Sequence, residues 1–118
     1  MAYEECVKTV SLLANASFET TGQFRFGVVN SSGKVALASS AGRVDGVILG
    51  NPAADVAVQF GIGGIMMVEY GGSITAGAQV QSGSSGVAVA GTTYVAGIAL
   101  ETGVSGDIRP VLFMPIGA

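Results

Sequence analysis

Any chemistry in this chain has to come from eight carboxylates, five basic side chains and one cysteine, because there is no histidine. Histidine is the usual general base near neutral pH and the commonest transition-metal ligand. Its absence removes Ser-His-Asp and Cys-His nucleophiles and most zinc and haem sites. Cys6 stands next to Glu4 and Glu5, whose charges disfavour the reactive thiolate, and one cysteine closes no internal disulfide. Asp45, Asp55, Glu69, Glu101 and Asp107 could form a general acid/base pair, but their places in turns and at strand ends suit solvated carboxylates. Gly61-Ile62-Gly63-Gly64 has the glycine content of a phosphate loop, yet no Lys-Ser/Thr and no helical pattern follows it. It reads as a turn between strands. Asn15-Ala16-Ser17 and Asn30-Ser31-Ser32 fit the glycosylation pattern and read as loop residues, since no secretory signal precedes them. The expectation is a protein with no catalytic residue, no cofactor and no metal.

The elements that carry these residues are short and β-like. Phe24, Phe26 and Val28 alternate with Gln23, Arg25 and Gly27, and Val56, Val58 and Phe60 alternate with Asp55, Ala57 and Gln59, the period of a half-buried strand. Further strands are expected at 6–13, 34–38, 44–49, 65–69, 78–81, 87–90, 94–100 and 107–114. Turn-forming clusters such as Asn30-Ser31-Ser32-Gly33 and Gly50-Asn51-Pro52 separate them. Nineteen glycines suit a strongly bent sheet. Pro110 removes a ladder donor and marks an edge or bulge, with Asp107 and Arg109 sharing one strand face beside it.

The sequence also repeats at an offset of about 51–53 residues. Gly33-Lys34-Val35-Ala36-Leu37-Ala38 matches Gly86-Val87-Ala88-Val89-Ala90. Val44-Asp45-Gly46-Val47-Ile48-Leu49 matches Val95-Ala96-Gly97-Ile98-Ala99-Leu100, and Asp55-Val56 matches Asp107-Ile108. Two units are too few for a solenoid, so the expected fold is all-β: a small closed β-barrel from two duplicated half-units, about 22–60 and 77–114, within a barrel domain 22–118. Residues 1–21 have no counterpart and form an N-terminal arm or strand.

Composition limits the partners. The 118 residues fit one domain. Charged residues make up 11% of the chain, against about 25% in ordinary soluble domains, and the mean hydropathy is +0.60. Every apolar run is broken before it reaches the roughly 20 residues of a membrane helix. A net charge of −3 with five scattered basic residues offers no face for a phosphate backbone, so no direct nucleic-acid or membrane partner is expected. The acidic start, Met1-Ala2-Tyr3-Glu4-Glu5, has no basic n-region, so the chain is expected to be made in a cytoplasm.

No Asp, Glu, Lys or Arg lies between Glu69 and Glu101. Strands alternate faces, so about half of those side chains point away from the core, and a free monomer would carry charge there. Neutral outward faces are what a surface looks like when another subunit covers it. The expected anchors are Tyr70, Ile74 and Tyr94 from this stretch, Tyr3, Val7, Val10 and Leu12 from the arm laid against a neighbour, and Arg109.

Ile74-Thr75-Ala76-Gly77-Ala78-Gln79-Val80, Gly86-Val87-Ala88-Val89-Ala90, Val95-Ala96-Gly97-Ile98-Ala99-Leu100-Glu101 and Gly106-Asp107-Ile108-Arg109-Pro110-Val111-Leu112 together resemble, in order and spacing, the bacteriophage capsid cement or head-decoration proteins. The likeness covers about residues 22–114 and leaves the arm unmatched. It implies a β-tulip-like structural protein of the virion that binds the major capsid protein on the outer surface of an assembled head. It further implies a homo-oligomer, with a trimer favoured, that stabilises the head against internal DNA pressure. A soluble β-barrel module binding carbohydrate or a receptor is the alternative, weakened by the absence of Trp and the presence of only three Tyr.

Overall fold

The computed structural model describes residues 8–117, with side chains described as far as Met114. Nine strands follow in chain order: β1 Lys8–Leu13, β2 Arg25–Val29, β3 Val35–Leu37, β4 Gly46–Ile48, β5 Ala57–Glu69, β6 Gln79–Ser82, β7 Ala88–Ala90, β8 Val95–Ala99 and β9 Ile108–Gly117. One 3-10 turn, Ser84–Gly86, stands between β6 and β7. The all-β class expected from the alternating pattern holds throughout the described residues. Among them no helix is long and apolar enough to cross a membrane.

All pairs are antiparallel, and the order across the sheet is β3-β2-β4-β5-β9-β8-β6-β7, with β1 on β5. The sequence placed a turn at residues 61–64, but β5 runs straight through them as a strand of 13 residues. Gly61 and Gly63 remain paired to β1, and Gly64, at φ 98°, supplies the bend that hands the strand to β9. β5 thus belongs to two sheets. Its first half pairs with β1 and β4, and its second half with β9.

The sheet therefore has two lobes, β1-β5-β4-β2-β3 and β5-β9-β8-β6-β7. Each curls until its edges touch through one parallel bridge, Ala14 to Val35 in the first and Tyr70 to Ala88 in the second. A single barrel closed over all strands would need β3 to reach β7, and these lie at opposite ends of the ladder.

The pairings of the first lobe recur in the second. Gly27 opposite Leu37 is matched by Val80 opposite Ala90, Gly27 opposite Gly46 by Val80 opposite Gly97, and Ile48 opposite Phe60 by Ala99 opposite Val111. β1 takes part as well: Leu12 opposite Val58 is matched by Val68 opposite Arg109. Of the expected arm, residues 1–7 lie outside the described residues, and Lys8–Leu13 is a strand of the first lobe rather than laid against a neighbour. β1 occupies in its lobe the place that the second half of β5 occupies in the other, paired within its own chain. Asp55 N–H donates to the Ala14 carbonyl and Gly106 N–H to the Tyr70 carbonyl. Asp55 thus corresponds to Gly106 and Val56 to Asp107, one residue from the expected alignment, because β5 and β9 keep the spacing set at Gly46 and Gly97.

Residues directly opposite in a ladder project to the same face, so the register assigns the cores. The first lobe encloses Ala14, Phe18, Val35, Ile48, Val58 and Phe60. The second encloses Met66, Val68, Tyr70, Val80, Ala88, Ala99, Val111 and Phe113, and it is closed by the back of the first: Phe26, Val47, Ala38 and Val44 belong to the same buried cluster. Phe26 meets Phe113 with ring centroids 6.4 Å apart, a separation at which tilted aromatic pairs attract. A Cβ at Gly61 would collide with Met66 Sδ, so the lobes touch there without room for a side chain.

Gly46 and Gly97 face the same obstacle at matching places. A Cβ would strike the Gly61 carbonyl oxygen in one case and the Leu112 carbonyl oxygen in the other. Neither backbone oxygen can move without breaking the ladder. Gly97→Ala is expected to cost about 1–3 kcal/mol in urea unfolding, as overpacking does. Gly72→Ala, where a Cβ would meet nothing within 4 Å, is expected to stay within about 0.5 kcal/mol.

Candidate interaction surface

The described ion pairs neutralise most of the scarce charge locally. Arg25 pairs with Glu69 at 3.2 Å, Lys34 with Asp55 at 2.6 Å and Arg43 with Asp45 at 2.9 Å. Arg109 reaches Glu101 at 3.0 Å and Asp107 at 3.2 Å. The carboxylates weighed for acid/base work are thus each occupied by a cation. Most of these pairs are exposed enough for each to contribute little to stability. Arg25–Glu69 is the most enclosed, with the guanidinium also donating to the Ser85 carbonyl at 3.2 Å. It ties β2 of the first lobe to the end of β5 and to the turn between β6 and β7.

Tyr70 fills the closed end of the second lobe. Its ring is fully buried, and its hydroxyl donates to the Glu101 carbonyl at 2.7 Å. Burial is the main reason its pKa lies above the usual tyrosine value, with the Glu101 charge adding to it. Asp107 accepts from the Val104 N–H at 3.0 Å and from Arg109, and these bonds, the backbone one first, hold its pKa below the usual aspartate value. The pair foreseen on one strand face is present. Its visible role is to fasten the Val104–Asp107 turn to β9 and Glu101.

The remaining expected anchors distribute unevenly. Tyr3 and Val7 lie outside the described residues. Val10 is 38% exposed on the rim of the first lobe, and Leu12, one step along the same face, is half-buried against the Phe60 core. Tyr70 and Ile74 are corrections: at 0% and 2% exposure both are interior, because residue 70 ends the inward face of β5 and Ile74 is bridged to Gly103. Tyr94 is half-buried against the second core. Sequence reasoning missed Ile62, Leu100, Val104 and Ile108, apolar side chains exposed by 40% or more. Ile62 was hidden in a glycine run read as a turn. Leu100 carried the signal, standing at the end of the uncharged stretch.

A shallow cleft of about 200 Å³ lies between residues 18–25, Asn51, Glu69 and Ile108, and of its two carboxylates Glu69 is held by Arg25 and Glu19 accepts from the Ser17 hydroxyl. Among the described residues, no three of His, Cys, Asp and Glu come together as metal ligands. The distinctive surface is the uncharged apolar one.

No protein-family model and no curated protein matches this sequence. In fold, however, the chain joins an all-β architecture already seen in a phage head. The crystal structure of the head fiber gp8.5 N base in bacteriophage phi29 superposes with a TM-score of 0.73, at 16% sequence identity, over 92% of this chain and 94% of that one.

Two measurements check the Tyr70–Asp107 region. Tyr70→Phe leaves the Glu101 carbonyl without its donor and is expected to cost about 0.5–1.5 kcal/mol in denaturant unfolding. Asp107 ionises more readily folded than unfolded, so its stabilisation is complete above the usual aspartate pKa and is lost as pH falls through its lowered folded value. Thermal melts across that acid range should fall less steeply for Asp107→Asn than for the parent.

Proposed function

We propose that this chain is a structural protein of a phage virion, docking as a homo-oligomer on the outer surface of an assembled head and stabilising the shell against the pressure of packaged DNA. The observation that carries the reading is the fold shared, over nearly the whole of both chains, with the head fiber base of phage phi29. The four sequence segments that resemble head-decoration proteins support it from a separate direction. So does a surface poor in charge, whose carboxylates are locked in pairs rather than gathered around a pocket. In this reading the partner is the major capsid protein. The chain works without cofactor, metal, membrane or nucleic-acid contact and has no catalytic centre; a trimer is the favoured assembly, and the two lobes descend from one duplicated unit.

The action is mechanical. A ligand that binds only the closed lattice stabilises it by mass action, by about 2.7 kcal/mol per site at a hundred times Kd. An oligomer touching several shell subunits at once multiplies the contacts that must break before the lattice opens. The test uses heads assembled without this protein. Purified chain added back should co-sediment with them and raise the temperature at which they release DNA. If none sediments with intact heads and the release temperature is unchanged, the reading is wrong.

A further inference from the structure

Within the chain, the lobes meet through two unlike surfaces: the back of the first, carrying Phe26, Val47 and Leu49, covers the inner rim of the second, carrying Met66 and Phe113. The recurring register identifies the counterpart of each. On the back of the second lobe, Ile98 stands where Val47 stands in the first, Leu100 where Leu49 stands and Leu112 where Gly61 stands. On the inner rim of the first lobe, Val10 stands where Met66 stands and Ile62 where Phe113 stands. Met66 and Phe113 are 3% and 4% exposed, whereas Val10 and Ile62 are 38% and 43% exposed, and Leu100 is 40% exposed. The chain therefore makes one copy of this contact and leaves exposed apolar side chains on both halves of a second copy.

We propose that these two surfaces join between chains: the back of the second lobe, around Ile98, Leu100 and Leu112, docks onto the inner rim of the first lobe, at Val10 and Ile62, of a second copy of this chain. The substitutions at the two surfaces fit such a contact. At the places corresponding to Arg25 and Glu69 of the intrachain joint stand Ala78, half-buried against the second lobe's own core, and Leu13, itself 43% exposed, so no charge recurs there. Phe26 is replaced by Gln79, a neutral polar side chain that a free chain can expose to water and an interface can still accept. No charge lies on β6, β7 or β8 to oppose it. The contact is head-to-tail, so it closes into a ring or runs on as a filament, and it does not pair like faces.

The inference deepens the homo-oligomer part of the proposed function and is tested without any capsid. Wild-type chain is weighed by light scattering at about 100 µM, above the dissociation constant of an ordinary specific interface, beside Ile62→Glu and Leu100→Glu. Both substitutions are at exposed positions. The expected result is an assembled wild type and two variants that are each monomeric with cooperative thermal melts. An equimolar mixture should form a 1:1 dimer, because Ile62→Glu retains an intact back and Leu100→Glu an intact rim. A like-to-like interface cannot give that result. A monomeric wild type, a single variant that stays assembled, or a mixture that stays monomeric overturns the proposal; Val10→Glu and Ile98→Glu are the second pair should either first variant fail to fold. Chains that assemble but leave heads bare would remove only the shell-binding reading, and chains that coat heads as monomers only this one.

Discussion

The fold depends on β5 serving two sheets at once. A strand of 13 residues is long for so small a chain. Its length places the end of one lobe and the start of the next on a single hydrogen-bonded rod. Gly61 and Gly64 make this possible, the first by letting Met66 press against the strand and the second by taking a backbone angle that other residues rarely adopt. The Phe26–Phe113 contact follows from that bend, and with it the burial of Met66 and Val47.

Equivalent positions in the two lobes hold different side chains, and the differences offset one another in volume. Phe60, Ile48 and Val35 of the first core give way to the smaller Val111, Ala99 and Ala88 in the second. Tyr70 restores the lost volume from the place where the first lobe has only Ala14. Close packing demands such an exchange, since a cavity of a few methylenes costs kilocalories. The tyrosine brings a hydroxyl into the interior, and the Glu101 carbonyl satisfies it.

Strand content was legible because it rests on a local rule, the alternation in residues 23–28 and 55–60. The glycine run at 61–64 misled, since the same residues that permit a turn also permit close strand-to-strand approach, and only the tertiary partners decide between them. Residues 1–21 looked unmatched because β1 and the second half of β5 share register but differ in burial and have almost no residue identity. Tyr70 and Ile74 could not be told from the outward half of the uncharged stretch because the sequence leaves the parity of its strands unassigned, and the large side chains face inward. Leu100 and Ile108 could have been found by assigning strand parity; Ile62 could not while its segment was read as a turn.

The distribution of charge then follows from the architecture. Where lobes meet inside one chain, the contact forms once with folding and is held by covalent continuity, so it can use Phe26 and an enclosed Arg25–Glu69 pair, even though Arg25 Nε is left buried without a partner. A surface that must stay soluble before it is covered cannot expose a phenylalanine freely, and one that must later be covered cannot keep unpaired charges. Gln, Ala, Ser, Thr and isolated aliphatic residues satisfy both demands, and they make up most of residues 70–100. A charge-free stretch in a chain with a net charge of −3 is therefore the composition expected of strands whose outward side spends part of its life in water and part against protein.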